Sequence, residues 1–183
     1  KTLIDDSTLC GVAGADYLFS PSQYLLDWMR DHDYQLPAKP IVIQNILRTK
    51  EPSVVGAGVV SAVKEIVFFG RPEPRKGVTV FCDAVERVLR KGVRDFRVTF
   101  LGKLEPGPEL SFLQERVAKW SVPTEILTEM DSEQAQDYLT GPGRMAVIAS
   151  LVENSPYTVL ECLGKGVPFI ASRVGGIPEL IDP

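Results

Sequence analysis

The chain has 183 residues, of which 44% are hydrophobic and 24% are charged. This composition indicates a soluble globular protein, and the length is enough for one well-buried domain, or for one domain plus part of another. A formal net charge of −4 gives no indication of a nucleic-acid-binding or polybasic membrane surface, so local groups would have to bind any anionic ligand. No apolar run approaches the roughly 20 residues of a membrane-spanning helix, and no secretory signal is visible.

The use of cysteine and histidine argues against metal and disulfide chemistry. Cys10, Cys82 and Cys162 are far apart and odd in number, so they form no disulfide framework and no metal-ligand spacing. We expect them to be buried small side chains of a cytoplasmic protein. The single histidine, His32, lies in a polar stretch after a predicted helix, and we expect no catalytic role for it.

The first 45 residues predict one helix between two strands: ADYLFS (15–20), a helix that runs to about Arg30, and PIVIQN (40–45). The residues from Ser20 to Gln23 resemble a capping box with Pro21 at the first helical position. Residues 46–62 have no clear hydrophobic period, and we expect a linker there.

From residue 62 onwards, short apolar strands alternate with amphipathic helices. The predicted strands are EIVFFG (65–70), FRVTFLG (96–102), TEIL (124–127), RMAVIAS (144–150) and VPFIAS (167–172). The first helix, over 77–91, has a clear apolar stripe of Val78, Phe81, Cys82, Val85, Val88 and Leu89. Four later helices are expected. The first has one apolar face made of Leu110, Leu113, Val117 and Trp120, and the second runs to Leu139 after a cap at Asp131 or Ser132. The third starts at Ser155, and the last starts within GGIPELI.

This alternation predicts an α/β fold. Short strands without polar alternation are expected to be buried on both faces, and intervening helices imply right-handed crossovers between parallel strands. We therefore predict a Rossmann-like, doubly wound parallel sheet. The last predicted helix has only just begun at Pro183, so we expect a sheet that is incomplete at the C-terminus.

Ligands of such sheets bind beyond the carboxyl ends of the strands. Four short stretches follow predicted strands directly, and we expect them on one rim: Gly70–Arg71, Gly102–Lys103, Glu153–Asn154 and Arg173–Gly176. The GRPEPRKG stretch also holds Arg75 and Lys76, and arginine and lysine both bind phosphate. Its two glycines, Gly70 and Gly77, would let the backbone turn closely around a ligand.

The stretch ENSPYTVLE (153–161) predicts a helix start beside two glutamates. Ser155 is a favoured N-cap and Pro156 fits the first helical position. The free N–H groups would then be those of Tyr157 and Thr158, which form an anion site with the helix dipole. The same residues also fit a solvated helix with ordinary loop charges, so their pattern alone leaves both interpretations open.

Helix geometry separates the two sides of this helix. At 100° per residue, the side expected to face the sheet comprises Val159, Leu160, Cys162 and Leu163. Tyr157, Thr158 and Glu161 would face away, and Glu161 would lean towards the helix start. A ribose beside a phosphate at that start would be within reach of the Glu161 carboxylate.

A nicotinamide-dinucleotide site is a weaker interpretation of another stretch. Gly56, Gly58 and Ser61 approach the spacing of the dinucleotide fingerprint. That fingerprint needs a strand before it and a helix after it, and neither is predicted here.

The motifs together carry a family resemblance. FFGRPEPRKG, followed by ENSPYTVLECLGKGVPFIASRVGGIPELI, resembles the second domain of the group 1 glycosyltransferases, which are retaining, nucleotide-sugar-dependent enzymes with the two-domain GT-B fold. The resemblance covers about residues 62–183. It implies a donor-binding domain over 63–183, incomplete at the C-terminus, and a linker over 49–62. Residues 1–48 resemble, more weakly, the end of the acceptor-side domain.

The resemblance implies a role for each candidate residue. Arg71, Lys76, Tyr157 and Thr158 would bind the donor diphosphate, and Glu161 would bind the ribose. Glu153 would be the catalytic residue, contacting the transferred sugar and supporting an oxocarbenium-like transition state. The sugar site would also include Asn154, Ser155 and Pro156, where many members have a Gly-Phe-Gly-like run. The base would lie near Gly102, Lys103, Met130 and Asp131.

The expected function is therefore sugar transfer from a nucleoside-diphosphate sugar to a saccharide, lipid or other acceptor. The family needs no metal or other cofactor, because arginine, lysine and the helix dipole balance the phosphate charge. We expect the isolated chain to bind donor without transferring sugar, and any peripheral membrane association to involve regions outside it. No nucleic-acid partner is expected. The alternative is a non-catalytic nucleotide-binding or interaction module of the same fold.

Overall fold

The computed structural model describes residues 11–47 and 62–182. The elements, in chain order, are β1 (Phe19–Ser20), α1 (Gln23–Asp31), β2 (Ile41–Val42), β3 (Glu65–Phe69), a 3-10 turn (Pro74–Lys76), α2 (Val78–Arg90), β4 (Arg97–Leu101), α3 (Pro108–Val117), β5 (Thr124–Leu127), α4 (Ser132–Leu139), β6 (Arg144–Ile148), α5 (Tyr157–Lys165), β7 (Phe169–Ala171) and α6 (Ile177–Ile181). No helix among the described residues is long and apolar enough to cross a membrane.

The chain divides into two compact units. The large unit comprises Leu47–Val152 and Tyr157–Ser172. The small unit comprises Lys1–Ile46, Glu153–Pro156 and Arg173–Pro183. Cys10 and the glycines of the weak dinucleotide pattern lie outside the described residues, as does nearly all of the predicted linker.

The large unit is built on a five-stranded sheet with the order β5-β4-β3-β6-β7, and every neighbouring pair is parallel. Helices flank this sheet, which confirms the predicted Rossmann-like α/β fold. β3 is the central strand, and its residues pair with β4 on one side and with β6 on the other. Strand order therefore reverses beside β3, where ligand crevices form in open sheets of this kind.

The core of the large unit lies between α2 and the centre of the sheet. The rings of Phe68, Phe81 and Phe100 have centroids 5.2 to 5.8 Å apart in tilted and edge-on arrangements, and such pairs add to simple burial. The predicted stripe of α2 is confirmed, because all its members are buried except Val88, which packs against the core partly exposed. Trp120 follows the end of α3 instead of lying within it, and still stacks on Phe100 at 6.0 Å.

Cys82 and Cys162 are both buried with free thiols, which confirms the predicted burial of these two side chains. Burial raises the pKa of each thiol to about 12, because the thiolate would lose its hydration in an apolar surrounding.

A polar cluster is buried at the start of the central strand. Glu65 accepts hydrogen bonds from the Thr99 hydroxyl at 2.6 Å, from Arg144 Nε at 2.9 Å, and from the Tyr138 hydroxyl. The Arg144 guanidinium also lies over the Tyr138 ring, 3.7 Å from its centroid. The cluster joins β3, β4, β6 and α4 at the end of the sheet opposite the predicted rim.

The small unit contains shorter strands than predicted. β1 and β2 have two residues each and pair in parallel, Phe19 with Ile41 and Ser20 with Val42. The expected strands over 15–20 and 40–45 are therefore wrong in extent, because regular pairing is limited to these two positions.

The N-cap of α1 is also different from the prediction. The cap is Ser22, whose backbone is extended and whose side-chain oxygen accepts the N–H of Leu25 at 3.2 Å. Ser20 instead donates its hydroxyl to the carbonyl oxygen of Ser22 at 2.7 Å. Pro21 therefore precedes the cap, and the predicted capping box at Ser20–Gln23 is wrong.

Candidate functional site

The carboxyl ends of the central strands carry two adjoining loops of the large unit. Gly70–Arg71 follows β3, and Gly102–Lys103 follows β4. A Cβ at Gly102 would lie 2.1 Å from the carbonyl oxygen of Gly70, so the two loops are packed backbone to backbone. The structure therefore brings these two predicted stretches together, as the sheet rule requires.

A cavity of about 410 Å³ opens beside these loops, lined by Arg71, Glu73, Lys103 and residues 104–109. The Arg71 side chain is 57% exposed and lies 3.4 Å from Glu73 Oε1. Arg75 Nη2 lies 2.8 Å from the same oxygen, but neither contact has hydrogen-bond geometry. Nothing in the sequence pattern indicated Glu73 as the acidic partner of these two arginines.

The loop that carries Lys76 turns against the end of β6. The backbone N–H of Leu151 donates to the carbonyl oxygen of Arg75 at 2.9 Å. Gly77 has a φ of +75°, and a Cβ there would lie 1.9 Å from the carbonyl oxygen of Ala149. The close approach at Gly77 is thus made by the protein's own backbone.

Helix α5 begins at Tyr157, one residue later than predicted. The Ser155 hydroxyl, expected as its N-cap, is buried and has no hydrogen-bond partner among the described residues, so the predicted capping interaction is absent. The helix has nine residues and no acidic side chain in its first turn. Its N-terminal N–H groups keep the ability to bind an anion.

Glu161 lies half-buried on α5 and is bonded to α4. Its Oε1 accepts hydrogen bonds from the Ser132 hydroxyl at 2.8 Å and from Gln136 Nε2 at 3.2 Å. Burial raises the pKa of Glu161, and the two hydrogen bonds only partly offset that effect. Ser132 and Gln136 are site residues that the sequence analysis missed, because nothing in their spacing relates them to a glutamate 25 or more residues away.

Asp131 is the N-cap of α4, which is one of the two caps predicted from the sequence. Its carboxylate accepts the backbone N–H of Gln134 at 2.9 Å, and the Gln134 side chain accepts the N–H of Asp131 at 3.0 Å. This reciprocal pair is a capping box. Asp131 is exposed and Met130 is half-buried, and their expected position near a base stays a prediction.

The faces of α5 follow the prediction with one exception. Val159 and Cys162 are buried and Leu160 is half-buried, whereas Leu163 is 41% exposed. The helix packs against β6 and α4, and we infer that Leu163 points away from both. Tyr157 is 53% exposed, on the side that was expected to face solvent or ligand.

The other candidate residues belong to the small unit. Glu153 is only 9% exposed, and the Asn154 side chain accepts a hydrogen bond from the Ser22 hydroxyl. A Cβ at Gly175 would lie 1.7 Å from the carbonyl oxygen of Glu153. The structure thus brings together two more of the four predicted strand-end stretches, Glu153–Asn154 and Arg173–Gly176.

The family model described as "Glycosyl transferases group 1" matches residues 63–183 of this chain, which is more than half of it. The chain belongs to the group 1 glycosyltransferases. The match begins just before β3 and includes the whole five-stranded sheet together with α6. It therefore covers both strand-end loops, Glu153 and Glu161.

Two curated relatives are mannosyltransferases. The chain is 30% identical over 112 residues to an MMP alpha-(1->4)-mannosyltransferase from Mycolicibacterium hassiacum, covering 60% of this chain and 26% of that protein. It is 32% identical over 133 residues to the lipopolysaccharide core biosynthesis mannosyltransferase LpsB from Rhizobium meliloti, covering 68% of this chain and 35% of that protein. The chain thus spans about a quarter to a third of the length of these two relatives.

Solved structures share the fold. The C-terminal domain of a group 1 family glycosyltransferase (LpcC) from Francisella tularensis has a TM-score of 0.53 at 24% identity, covering 66% of this chain and 63% of that one. A chain of the GtfA/B complex has a TM-score of 0.57 at 16% identity, covering 95% of this chain and 33% of that one. These likenesses show that the chain shares the fold of GT-B glycosyltransferase domains.

Proposed function

We propose that this chain binds a nucleoside-diphosphate sugar as the donor of a retaining glycosyltransferase. The observation that carries the proposal is the environment of Glu161. Its carboxylate is held half-buried by Ser132 and Gln136, and burial raises its pKa. Two neighbouring hydroxyl donors, such as those of a ribose, would replace lost hydration and stabilise the charged form.

The diphosphate would be bound by main-chain and cationic groups of the large unit. The N–H groups of Tyr157 and Thr158 lie in the first turn of α5, where the helix dipole favours negative charge. Arg71 lines a cavity at the sheet edge and is exposed enough to exchange Glu73 for a phosphate. Lys76 lies at the end of the 3-10 turn that follows β3. In this proposal these groups balance the charge of the diphosphate, and no metal or other cofactor is assigned to the site.

Glu153 would contact the transferred sugar and stabilise an oxocarbenium-like transition state. A buried carboxylate is suited to this role because nearby positive charge is attracted more strongly where water is excluded. The Ser155 hydroxyl, buried and without a hydrogen-bond partner among the described residues, would gain free energy from a polar ligand. Asn154 and Pro156 complete the proposed sugar-binding segment.

Mannose is the first sugar to test, because both curated relatives are described as mannosyltransferases. Gly102, Lys103, Met130 and Asp131 are proposed near the base, and nothing in their chemistry selects guanine, uracil or adenine. The acceptor would be a saccharide, a lipid or another hydroxyl compound. A cytoplasmic location also stays a proposal.

Calorimetric titration of the folded chain with GDP, UDP and ADP tests the proposal directly. We expect one of them to bind with a dissociation constant below about 1 mM, and Glu161→Ala to weaken it. Glu115→Ala is the matched control, since Glu115 is exposed on α3. Absence of binding by all three at millimolar concentration would contradict the proposal. Binding without any sugar transfer by the longer protein would favour the alternative non-catalytic module.

A further inference from the structure

The segment Glu153–Pro156 is packed against a glycine turn of the small unit. A Cβ at Gly175 would lie 1.7 Å from the carbonyl oxygen of Glu153, and a Cβ at Gly176 would lie 2.1 Å from that of Asn154. Gly175 also has a φ of +58°, which side chains other than glycine rarely adopt. The turn therefore fixes two successive carbonyl groups of the segment by direct contact.

Two side chains hold the same segment by hydrogen bonds. The Ser22 hydroxyl donates to Asn154 Oδ1, and Asn45 Nδ2 donates to the carbonyl oxygen of Ser155 at 2.9 Å. Ser22 is 1% exposed, so its hydroxyl would be left buried without this partner if Asn154 moved away. Each of the three residues from Glu153 to Ser155 is thus restrained by a group distant in sequence.

Glu179 fixes the helix that carries Ser22. One carboxylate oxygen accepts the N–H of Gln23 and the other accepts the N–H of Tyr24, each at 2.7 Å. A carboxylate at a helix N-terminus both satisfies free N–H groups and complements the dipole. The Gln44 side chain in turn donates to the backbone carbonyl of Glu179 at 3.0 Å. The GGIPEL stretch therefore holds α1 through Glu179 as well as contacting the segment through its glycines.

We propose that Ser22, Asn45 and Glu179 are positioning residues for the segment that carries Glu153. They act through the main chain and Asn154, and they need touch no substrate themselves. This role rests on the proposed function, in which Glu153 and its neighbours contact the sugar of the donor. The nucleotide part of the donor is assigned to other residues, so loosening the segment should affect sugar recognition selectively.

Two variants test this selectivity in the full chain. Asn45→Ala removes one hydrogen bond to the segment, and Gly176→Ala places a methyl group against the Asn154 carbonyl and the Ser22 side chain without removing a polar group. Asp27→Ala is the matched control, because Asp27 is exposed on α1 and, among the described residues, forms hydrogen bonds only with the side chains of Gln23 and Arg30. Asn45→Gln keeps the amide donor and should restore part of the effect.

Calorimetry measures the dissociation constants of three pairs of ligands, each ligand separately. The pairs are GDP and GDP-mannose, UDP and UDP-glucose, and ADP and ADP-glucose. For the pair that binds, we expect Asn45→Ala to weaken the nucleotide-sugar about three- to tenfold, as for one lost hydrogen bond, and the free nucleoside diphosphate less than about twofold. NMR order parameters of residues 153–155 should fall in the same variant, and Asp27→Ala should change neither quantity.

The outcomes that overturn the two proposals are different. Equal weakening of nucleotide and nucleotide-sugar, or unchanged order parameters in the segment, would overturn the positioning role while the donor site stands. If no nucleotide binds the unmodified chain, the proposed function falls, and the sugar-positioning role falls with it.

Discussion

Glu65 and Glu161 are two poorly solvated carboxyl groups of the large unit whose pKa values are shifted in opposite directions. Burial alone would raise the pKa of Glu65, but hydrogen bonds from Thr99, Tyr138 and Arg144 outweigh it, so the pKa is lowered. For Glu161 the effect of burial is larger than that of the hydrogen bonds from the neutral donors Ser132 and Gln136, so the pKa is raised. Among the described residues, no cation pairs with Glu161.

The opposite shifts distinguish Glu65, a structural carboxyl, from Glu161, a candidate for ligand binding. Arg144 gives Glu65 an opposite charge, with Nε at 2.9 Å, beside hydrogen bonds from Thr99 and Tyr138. The charge of Glu65 is therefore already balanced within the protein. A poorly solvated carboxyl without a neighbouring cation has an unfavourable charged form, and a bound molecule can stabilise that form. Carboxyl groups of this kind are typical of functional sites.

The largest effect is expected from removing the structural carboxyl. Glu65→Ala leaves Arg144 partly buried without its partner, and the free energy of unfolding should fall by about 3–5 kcal/mol. Urea unfolding at pH 7 measures this loss. The matched control is Glu125→Ala, which breaks the exposed pair with Arg97. A loss no larger than that of the control would mean that the buried cluster is not structural.

The next largest effect concerns the ligand. Glu161→Ala should weaken binding of the nucleoside diphosphate by about 1.5–3 kcal/mol, the contribution of a hydrogen bond to a charged group. Ser132→Ala should weaken it less, because Gln136 would still hold the carboxylate. Calorimetry of both variants compares the two. Unchanged affinity in Glu161→Ala would remove the distinction between the two carboxyls.

Replacing Glu65 or Glu161 by glutamine should change the free energy of unfolding with opposite dependences on pH. The lowered pKa of Glu65 means that its stabilisation is present above the ordinary value of 4.5 and is lost as pH falls through the folded-state value. Glu65→Gln should therefore cost most near neutral pH and progressively less in acid. Unfolding curves from pH 3 to pH 8 would show this, and a constant cost would contradict it.

The raised pKa of Glu161 gives stability the opposite dependence on pH. Its folded state retains the proton more strongly, so stability is lost as pH rises from the ordinary value of 4.5 through the folded-state value. Glu161→Gln should consequently be neutral or stabilising at pH 7, by up to about 1 kcal/mol. The same unfolding series measures it, and a clear destabilisation at pH 7 would indicate a structural role.

The smallest effect should come from the exposed pair. Arg97 and Glu125 approach to 2.6 Å, but each side chain is 48% exposed. Breaking such a pair costs less than about 1 kcal/mol, and added salt reduces it further. Unfolding of Glu125→Ala at low and high salt measures this loss, which should be the smallest of those predicted here and smaller still at high salt.

The large unit was predictable because its signals are local. The apolar stripe of α2 and the short strand TEIL at β5 were both predicted from nearby residues, and the structure places both as expected. The strand-end rule also located the adjoining loops after β3 and β4. Such features depend on residues close in the chain, so a single sequence contains the information.

The features that were missed depend on residues far apart in the chain. Nothing near Glu161 indicates that Ser132 and Gln136 would donate to it, and nothing near Ser22 indicates a bond to Asn154. The cap expected at Ser155 failed although the residue type was favourable. Local propensity identifies candidate groups, whereas tertiary contacts decide which of them are engaged.

The two buried cysteines make the chain convenient for site-directed labelling. With a pKa of about 12, Cys82 and Cys162 would each be ionised to only about one part in 10⁵ at pH 7, and thiolate is the form that alkylating reagents attack. Once Cys10 is replaced by serine, a cysteine introduced at an exposed position such as Asp27 would react almost alone. A fluorophore there could follow donor binding in solution without background from the interior thiols.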